Sequence, residues 1–202
     1  MVIELYEITK DGKADQLVSD PFTDEVNDME PFIIANLSLL QSGDEELHFL
    51  KKETTDGKTG KRSDILALDD NGRLVIIELK RDYADGKDEF QIRGYLKSKR
   101  ENPDSIRNYY NEAKDRLTGI NYDSSIDPKV IVVAPEISEF WVETSSELNF
   151  EIDFIELKRF KKGSQTYVSV NDKEPKPIKR PRESTSREDY NWEHHSRDLN
   201  WH

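Results

Sequence analysis

Three residues in the stretch "SDILALDDNGRLVIIELKR" (63–81) have types and spacing suited to metal-assisted hydrolysis: Asp64, then Glu78 and Lys80 two apart. Residues two apart on a strand share a face. There the carboxylate can hold a divalent ion and the ammonium can offset charge on a phosphoryl group. "DDNG" between two apolar runs is a hairpin signal. With Asp70-Asn71-Gly72 as a three-residue loop and Gly72 left-handed, Asp69 faces Arg73, Leu68 lies near Leu74, Leu66 near Ile76 and Asp64 near Glu78. Residues directly across an antiparallel pair have Cβ atoms about 5 Å apart, and like charges placed there are destabilising. Lys80 neutralises part of that charge. A cation with a preference for oxygen ligands does it better, and Mg2+ fits, with Mn2+ as a substitute. The expected ligands are Asp64, Glu78 and the main-chain carbonyl of Leu79. A metal so held lowers the pKa of a bound water and stabilises charge growing on a phosphoryl oxygen. The alternative is a surface ion triad at the strand ends.

The segment "TDEVNDMEPFIIANLSLL" (23–40) carries apolar residues at 26, 29, 33, 37 and 40, the helical period. Glu30 falls on that apolar stripe, where an acid rarely accepts burial without a partner. It is therefore a candidate further ligand or supporting base; Glu25 takes its place if Pro31 rotates the helix, and an acid reaching solvent from the stripe's edge is the alternative. Proline suits only a first turn, so the helix either starts near Asp28 or bends at Pro31. "DEFQIRGYLKSKR" (88–100) reads as a second helix. Gln91 and Tyr95 share one of its faces and could line the site, with Tyr95 counted also as a nucleic-acid contact. Arg93, Lys97 and Arg100 share another face and could follow a phosphate backbone, unless they are simply a solvated helix face. Lys51, Lys52, Lys58, Lys61 and Arg62, in or beside the loop "TDGKTGKR", are expected to contact nucleic-acid phosphates.

The tetrapeptide Glu-Leu-Lys-Arg returns at 156–159, but no acid stands on the strand expected to face it. That copy reads as a strand near the sheet edge. "VIELYEI" is an opening strand, "LHFLKKET" another, "KVIVVAP" a strand covered on both faces, "EISEFWVETSSEL" a helix, and "FEIDFIELKRF" with "QTYVSVN" a closing hairpin around Lys162-Gly163. Strands mixed with helices on both sides give an α/β fold.

The chain has 202 residues and a net charge of −12, which by itself speaks against nucleic acid. The acidity is concentrated at the N-terminus: residues 1–50 hold twelve acids and two bases, whereas residues 61–120 hold twelve acids and thirteen bases. Without cysteine there is no thiolate metal site or thiol nucleophile. No run of about 18 apolar residues and no export signal is seen, so a cytoplasmic location is expected. The expected organisation is a strand and connector over 1–22, a folded α/β domain over 23–171, and a Pro-rich charged linker and tail over 172–202, with the start of a further domain as the alternative reading of the tail. His194, His195 and His202 in that tail are a remote option for a second metal site.

The stretch "RSDILALDDNGRLVIIELKRDYADGKDEFQIRGYL" resembles the core of the PD-(D/E)XK nuclease superfamily, and more closely the nuclease domain of the NucS (EndoMS) mismatch endonucleases. The family's upstream helix is similar to "MEPFIIANLSLL". The resemblance implies a restriction-endonuclease-like mixed sheet flanked by helices, Mg2+ ligation by Asp64 and Glu78, catalysis by Lys80, a supporting acid at Glu30 and a site-lining Gln91. Ser63, where an apolar residue is usual, and Pro31 depart from the family pattern. About twenty residues with one strand stand in place of the family's DNA-binding domain, so mismatch specificity is not implied.

The expected activity is Mg2+-dependent endonucleolytic hydrolysis of DNA by a metal-activated water. A nucleic-acid-binding or interaction module that keeps the fold without catalysis is the alternative. DNA is the expected partner, with RNA as the other polymer; no membrane is expected, and pairing as a homodimer is left open.

Overall fold

The computed structural model describes residues 4–41, 45–55 and 62–175, so Lys58, Lys61, the Arg62 side chain and the tail histidines lie outside the described residues. The strands are β1 (Tyr6–Ile8), β2 (Ala14–Gln16), β3 (Val18–Ser19), β4 (His48–Thr55), β5 (Arg62–Leu68), β6 (Leu74–Leu79), β7 (Lys129–Ala134), β8 (Ile152–Lys162) and β9 (Gln165–Lys173). The helices are α1 (Glu30–Ala35), α2 (Asp88–Glu101), α3 (Pro103–Ala113) and α4 (Glu139–Thr144). β1 and β2 form a separate hairpin. The other strands make one mixed sheet in the order β3-β8-β7-β6-β5-β4, with β9 pairing β8. This is the helix-covered mixed sheet expected from the sequence. Among the described residues, no helix is long and apolar enough to cross a membrane.

β6 and β7 are buried along their whole length, because helices cover both faces of the sheet. Leu74 and Ile76 pack with Ile92, Tyr95 and Leu96 of α2, Ile106 of α3 and Trp141 of α4. Val75, Ile77 and Leu79 pack on the other side with Met29, Ile33 and Leu37. A strand in that position reads as a continuous apolar run, and each fully buried branched side chain contributes about 1.5–3 kcal/mol. Glu78 occupies the third position of the α2-facing set, where the period calls for an apolar residue.

The β5–β6 register is Leu68↔Leu74, Ala67↔Val75, Leu66↔Ile76 and Ile65↔Ile77. One step further along this ladder Asp64 stands opposite Glu78, as the three-residue loop requires. Asp69 N–H donates to Arg73 O at 3.1 Å, and the Asp69 carboxylate, buried, accepts from the Asn71 and Arg73 amides at 2.9 Å each. Gly72 has φ +77°. A Cβ on it would also collide with the Asn121 carbonyl oxygen. Backbone atoms cannot step aside, so Gly72→Ala combines left-handed strain with overpacking and is expected to destabilise by about 3 kcal/mol or more. Chemical denaturation should show a lower midpoint; an unchanged midpoint would contradict this account of the turn.

Pro31 resolves by position. It stands in the first turn of α1, where its missing N–H is no loss, and a single wide turn over Glu25–Met29 leads into it. That turn is capped by Asp24, which accepts from Asn27 N at 2.6 Å.

Candidate metal and phosphodiester site

Glu78 is fully buried at the C-terminal end of β6. Its Oε1 accepts from Lys80 Nζ at 2.8 Å and from Gln91 Nε2 at 2.9 Å. Its Oε2 is buried with no hydrogen-bond partner among the described residues. The placement follows from local sequence. Residues 78 and 80 share a face of the strand, and Gln91 projects from the first turns of α2, whose Ile92 and Leu96 fasten it to the sheet. Gln91 Nε2 also donates to the Tyr95 hydroxyl, four residues on. Asp64, half-buried on the neighbouring strand, accepts from Leu79 N at 2.8 Å, which fixes it beside the Glu78–Leu79 backbone.

The electrostatics follow from this crowding. Burial first, and then the Asp64 carboxylate, push the Glu78 pKa up from 4.5 to about 8, against the pull of Lys80. Burial opposes charge on Lys80 too, but Glu78, Asp88 and Asp64 outweigh it and raise its pKa. Lys80 therefore stays an ammonium while Glu78 titrates. Burial and the nearby Glu78 push Tyr95 up to about 12, so its hydroxyl keeps its proton.

A divalent ion fits these residues. The donors are hard oxygens, and a buried carboxylate oxygen without a hydrogen bond is costly unless something cationic meets it. Glu78 Oε2 and Asp64 would hold the ion, with the Leu79 carbonyl as the expected third protein ligand.

The other expected residues have partners of their own. Glu30 is 1% exposed on α1, which covers the opposite face of the sheet, and its Oε1 stands 3.6 Å from Lys52 Nζ. Glu25 is partly exposed and accepts from the Arg81 backbone N–H at 2.9 Å, tethering the chain just after Lys80. Tyr95 is 2% exposed, packed under α2. Its assignment as a nucleic-acid contact gives way to a role as support for Gln91, because the same apolar stripe that anchors the helix buries the ring. Arg93, Lys97 and Arg100 are solvent-exposed on the outer side of α2, and each pairs with an acid: Glu89 at 2.7 Å, Glu101 at 3.8 Å and Asp127 at 3.1 Å. Lys51 pairs with Glu112 at 2.9 Å.

The second Glu-Leu-Lys-Arg copy is a natural control. Glu156 faces Asn171 of β9 across the hairpin, not a carboxylate, and β8 lies one strand in from the β9 edge. Both of its oxygens are engaged: Oε1 accepts from Ile137 N at 3.2 Å and pairs with Lys173 at 3.3 Å, and Oε2 accepts from Asn171 Nδ2 at 3.5 Å. Arg159 clamps the N-terminal segment through Asp28 at 2.7 Å and stacks over Phe22.

Two features escaped the sequence reading. Asp88 Oδ1 lies 3.5 Å from Lys80 Nζ. It stands three residues before Gln91, one turn away on the same helix face, and that spacing could have found it. Glu46, His48 and Asp70 bring potential ligand atoms within 4.8 Å of one another. His48 Nε2 is 2.8 Å from Asp70 Oδ1, at the loop end of the β5–β6 hairpin and away from Glu78. The β4–β5 register, His48↔Leu68, sets this cluster, and it is invisible until β4 is aligned.

Comparison with known protein families and with curated proteins finds no match. Among solved structures the chain is similar to that of an EndoMS–dsDNA2 complex, with 23% identity and a TM-score of 0.44 over 63% of this chain and 43% of that one. It is similar also to a repair endonuclease from Pyrococcus abyssi, with 21% identity and a TM-score of 0.43 over 67% and 48%. For EndoMS in its apo form the values are 19% and 0.42 over 69% and 48%. The chain thus spans less than half the length of each of these proteins.

Proposed function

We propose that the chain is a Mg2+-dependent endonuclease that hydrolyses DNA phosphodiester bonds at Glu78, Asp64 and Lys80. The observation that carries this reading is the Glu78 carboxylate. It is buried where its strand calls for an apolar residue, is held on one oxygen by Lys80 and Gln91, and is bare on the other. Glu156, in the second copy of the tetrapeptide, has both of its oxygens engaged instead. Bound Mg2+ would supply a water of lowered pKa and charge stabilisation for the phosphoryl group. Lys80, kept as an ammonium, offsets charge on the phosphate and orients the attacking water by hydrogen bonding; with its proton held it is not a general base. Gln91 fixes the rotamer of Glu78, and Tyr95 supports Gln91. Glu30, paired with Lys52, is the proposed supporting acid. The Arg93, Lys97 and Arg100 row contacts the nucleic acid beyond the site.

The test is cleavage of duplex, mismatched, flap and single-stranded DNA, and of RNA, with and without Mg2+. Divalent-dependent cutting that disappears in Asp64→Asn, together with calorimetric Mg2+ binding, is expected. Salt-sensitive DNA binding with neither metal binding nor cutting would favour the non-catalytic module instead.

A further inference from the structure

We propose that the cavity between α2 and the loop entering β8 is a subsite for one nucleotide, with the base stacked on the Arg93 guanidinium that Phe150 backs and the phosphate against Lys97 and Arg100. The cavity has a volume of about 280 Å3 and is lined by Arg93, Leu96, Lys97, Arg100, Asn149 and Phe150, together with Glu101. That lies just under the range of about 300–1,000 Å3 usual for small-molecule sites. It suits a single nucleotide and is too small for a length of strand.

Its walls divide by chemistry. Phe150 is half-buried against the core, and the Arg93 guanidinium lies over its ring, 5.4 Å from the centroid. Asn149 Oδ1 accepts from Arg93 Nη1 at 3.1 Å and holds that plane in place. Aromatic and guanidinium planes stack on nucleobases with little regard to sequence. Buried Leu96 adds an apolar surface. Lys97 and Arg100 follow along the helix with side chains 75% and 42% exposed, bound to Glu101 and Asp127. Exposed pairs of this kind contribute little, so a phosphate, with more charge and more acceptor oxygens than a carboxylate, can replace the acids. Arg100 is about 14 Å along the helix axis from Gln91. A nucleotide in the cavity therefore belongs to strand flanking the proposed cleavage site, and only that last placement rests on the nuclease reading.

The full chain is titrated with dAMP, deoxyadenosine and inorganic phosphate, following amide chemical shifts and heats of binding. The expectation is that dAMP binds more tightly than either fragment and that its shifts map to 93–101 and 149–150. Phe150→Leu should weaken dAMP about tenfold while leaving phosphate unchanged. Lys97→Ala should weaken both dAMP and phosphate. Equal binding of dAMP and phosphate, indifference to Phe150→Leu, or no saturable dAMP binding would each overturn the proposal. Its failure is separable from that of the nuclease reading. Phe150-dependent dAMP binding in a chain that cuts nothing leaves the subsite standing alone, and Glu78-dependent cutting without dAMP binding removes only the subsite.

Discussion

In Glu78→Gln, DNA cleavage falls by about 10³-fold or more, while the metal-free protein becomes more stable at pH 8.5 than the wild type. The second half follows from linkage. The Glu78 pKa is raised by folding from 4.5 to about 8, so the native state binds its proton more tightly than the unfolded chain does. The associated stability is fully present below pH 4.5 and is lost as the pH rises through about 8. Each pH unit in that interval costs about 1.4 kcal/mol, on the order of 5 kcal/mol in total. Glutamine is neutral at every pH and escapes the loss. Lys80 keeps Asp88 at 3.5 Å as a counter-charge. Against this stands one amide group where Oε2 was, a penalty of about 1–3 kcal/mol. The expected result is a Tm above wild type by a few °C at pH 8.5, at about 2–4 °C per kcal/mol for a chain of this size, with the gap closing or reversing at pH 5. Mg2+ should raise the Tm of the wild type and leave the variant unmoved. A gap that does not change with pH, or a Mg2+ shift that survives the substitution, would remove Glu78 from the centre of the site.

That prediction was within reach of the sequence because strand period is a short-range property. "RLVIIELK" alternates into two buried faces, and Asp-Asn-Gly sets the register that brings Asp64 opposite Glu78; no tertiary information is needed. The degree of burial was not legible in the same way, since it depends on α2 closing over the strand and on Gln91 taking one lone oxygen. Tyr95 shows the same limit: one helical period places a residue on the α2 inner face, but only the packed structure tells whether that face lines a cleft or fills a core. The duplicated tetrapeptide is the converse case. Glu78 and Glu156 are locally identical, and what separates them is the partner across the sheet, an acid for one and Asn171 for the other. Similarly, His48 and Asp70 are 22 residues apart in sequence, and a strand pairing joins them.

Lys80→Met separates metal holding from catalysis. Methionine keeps most of the side chain's length and its packing but removes the ammonium that sits 2.8 Å from Glu78 Oε1. Cleavage should drop about 10²–10³-fold, the usual cost of losing one donor aimed at developing charge. Metal binding should move the opposite way. In the wild type, the ammonium competes with a dication for the same carboxylate and repels it across a buried, poorly screened site. Without Lys80 that opposition is gone, and Mg2+ affinity should rise several-fold, on the order of 1 kcal/mol. The apo protein is left with a buried acid that has lost its cation, a change that costs about 3–5 kcal/mol when the acid stays ionised and less when it takes up a proton. Mg2+ must then relieve more in the variant than in the wild type. At a pH high enough to keep Glu78 ionised without Lys80, the Tm gain on adding saturating Mg2+ is accordingly expected to be larger in Lys80→Met than in the unmodified chain, even though the variant hardly cuts. An equal or smaller gain would mean that Lys80, and not a dication, is the intended partner of Glu78, and that the pair is a structural ion bridge.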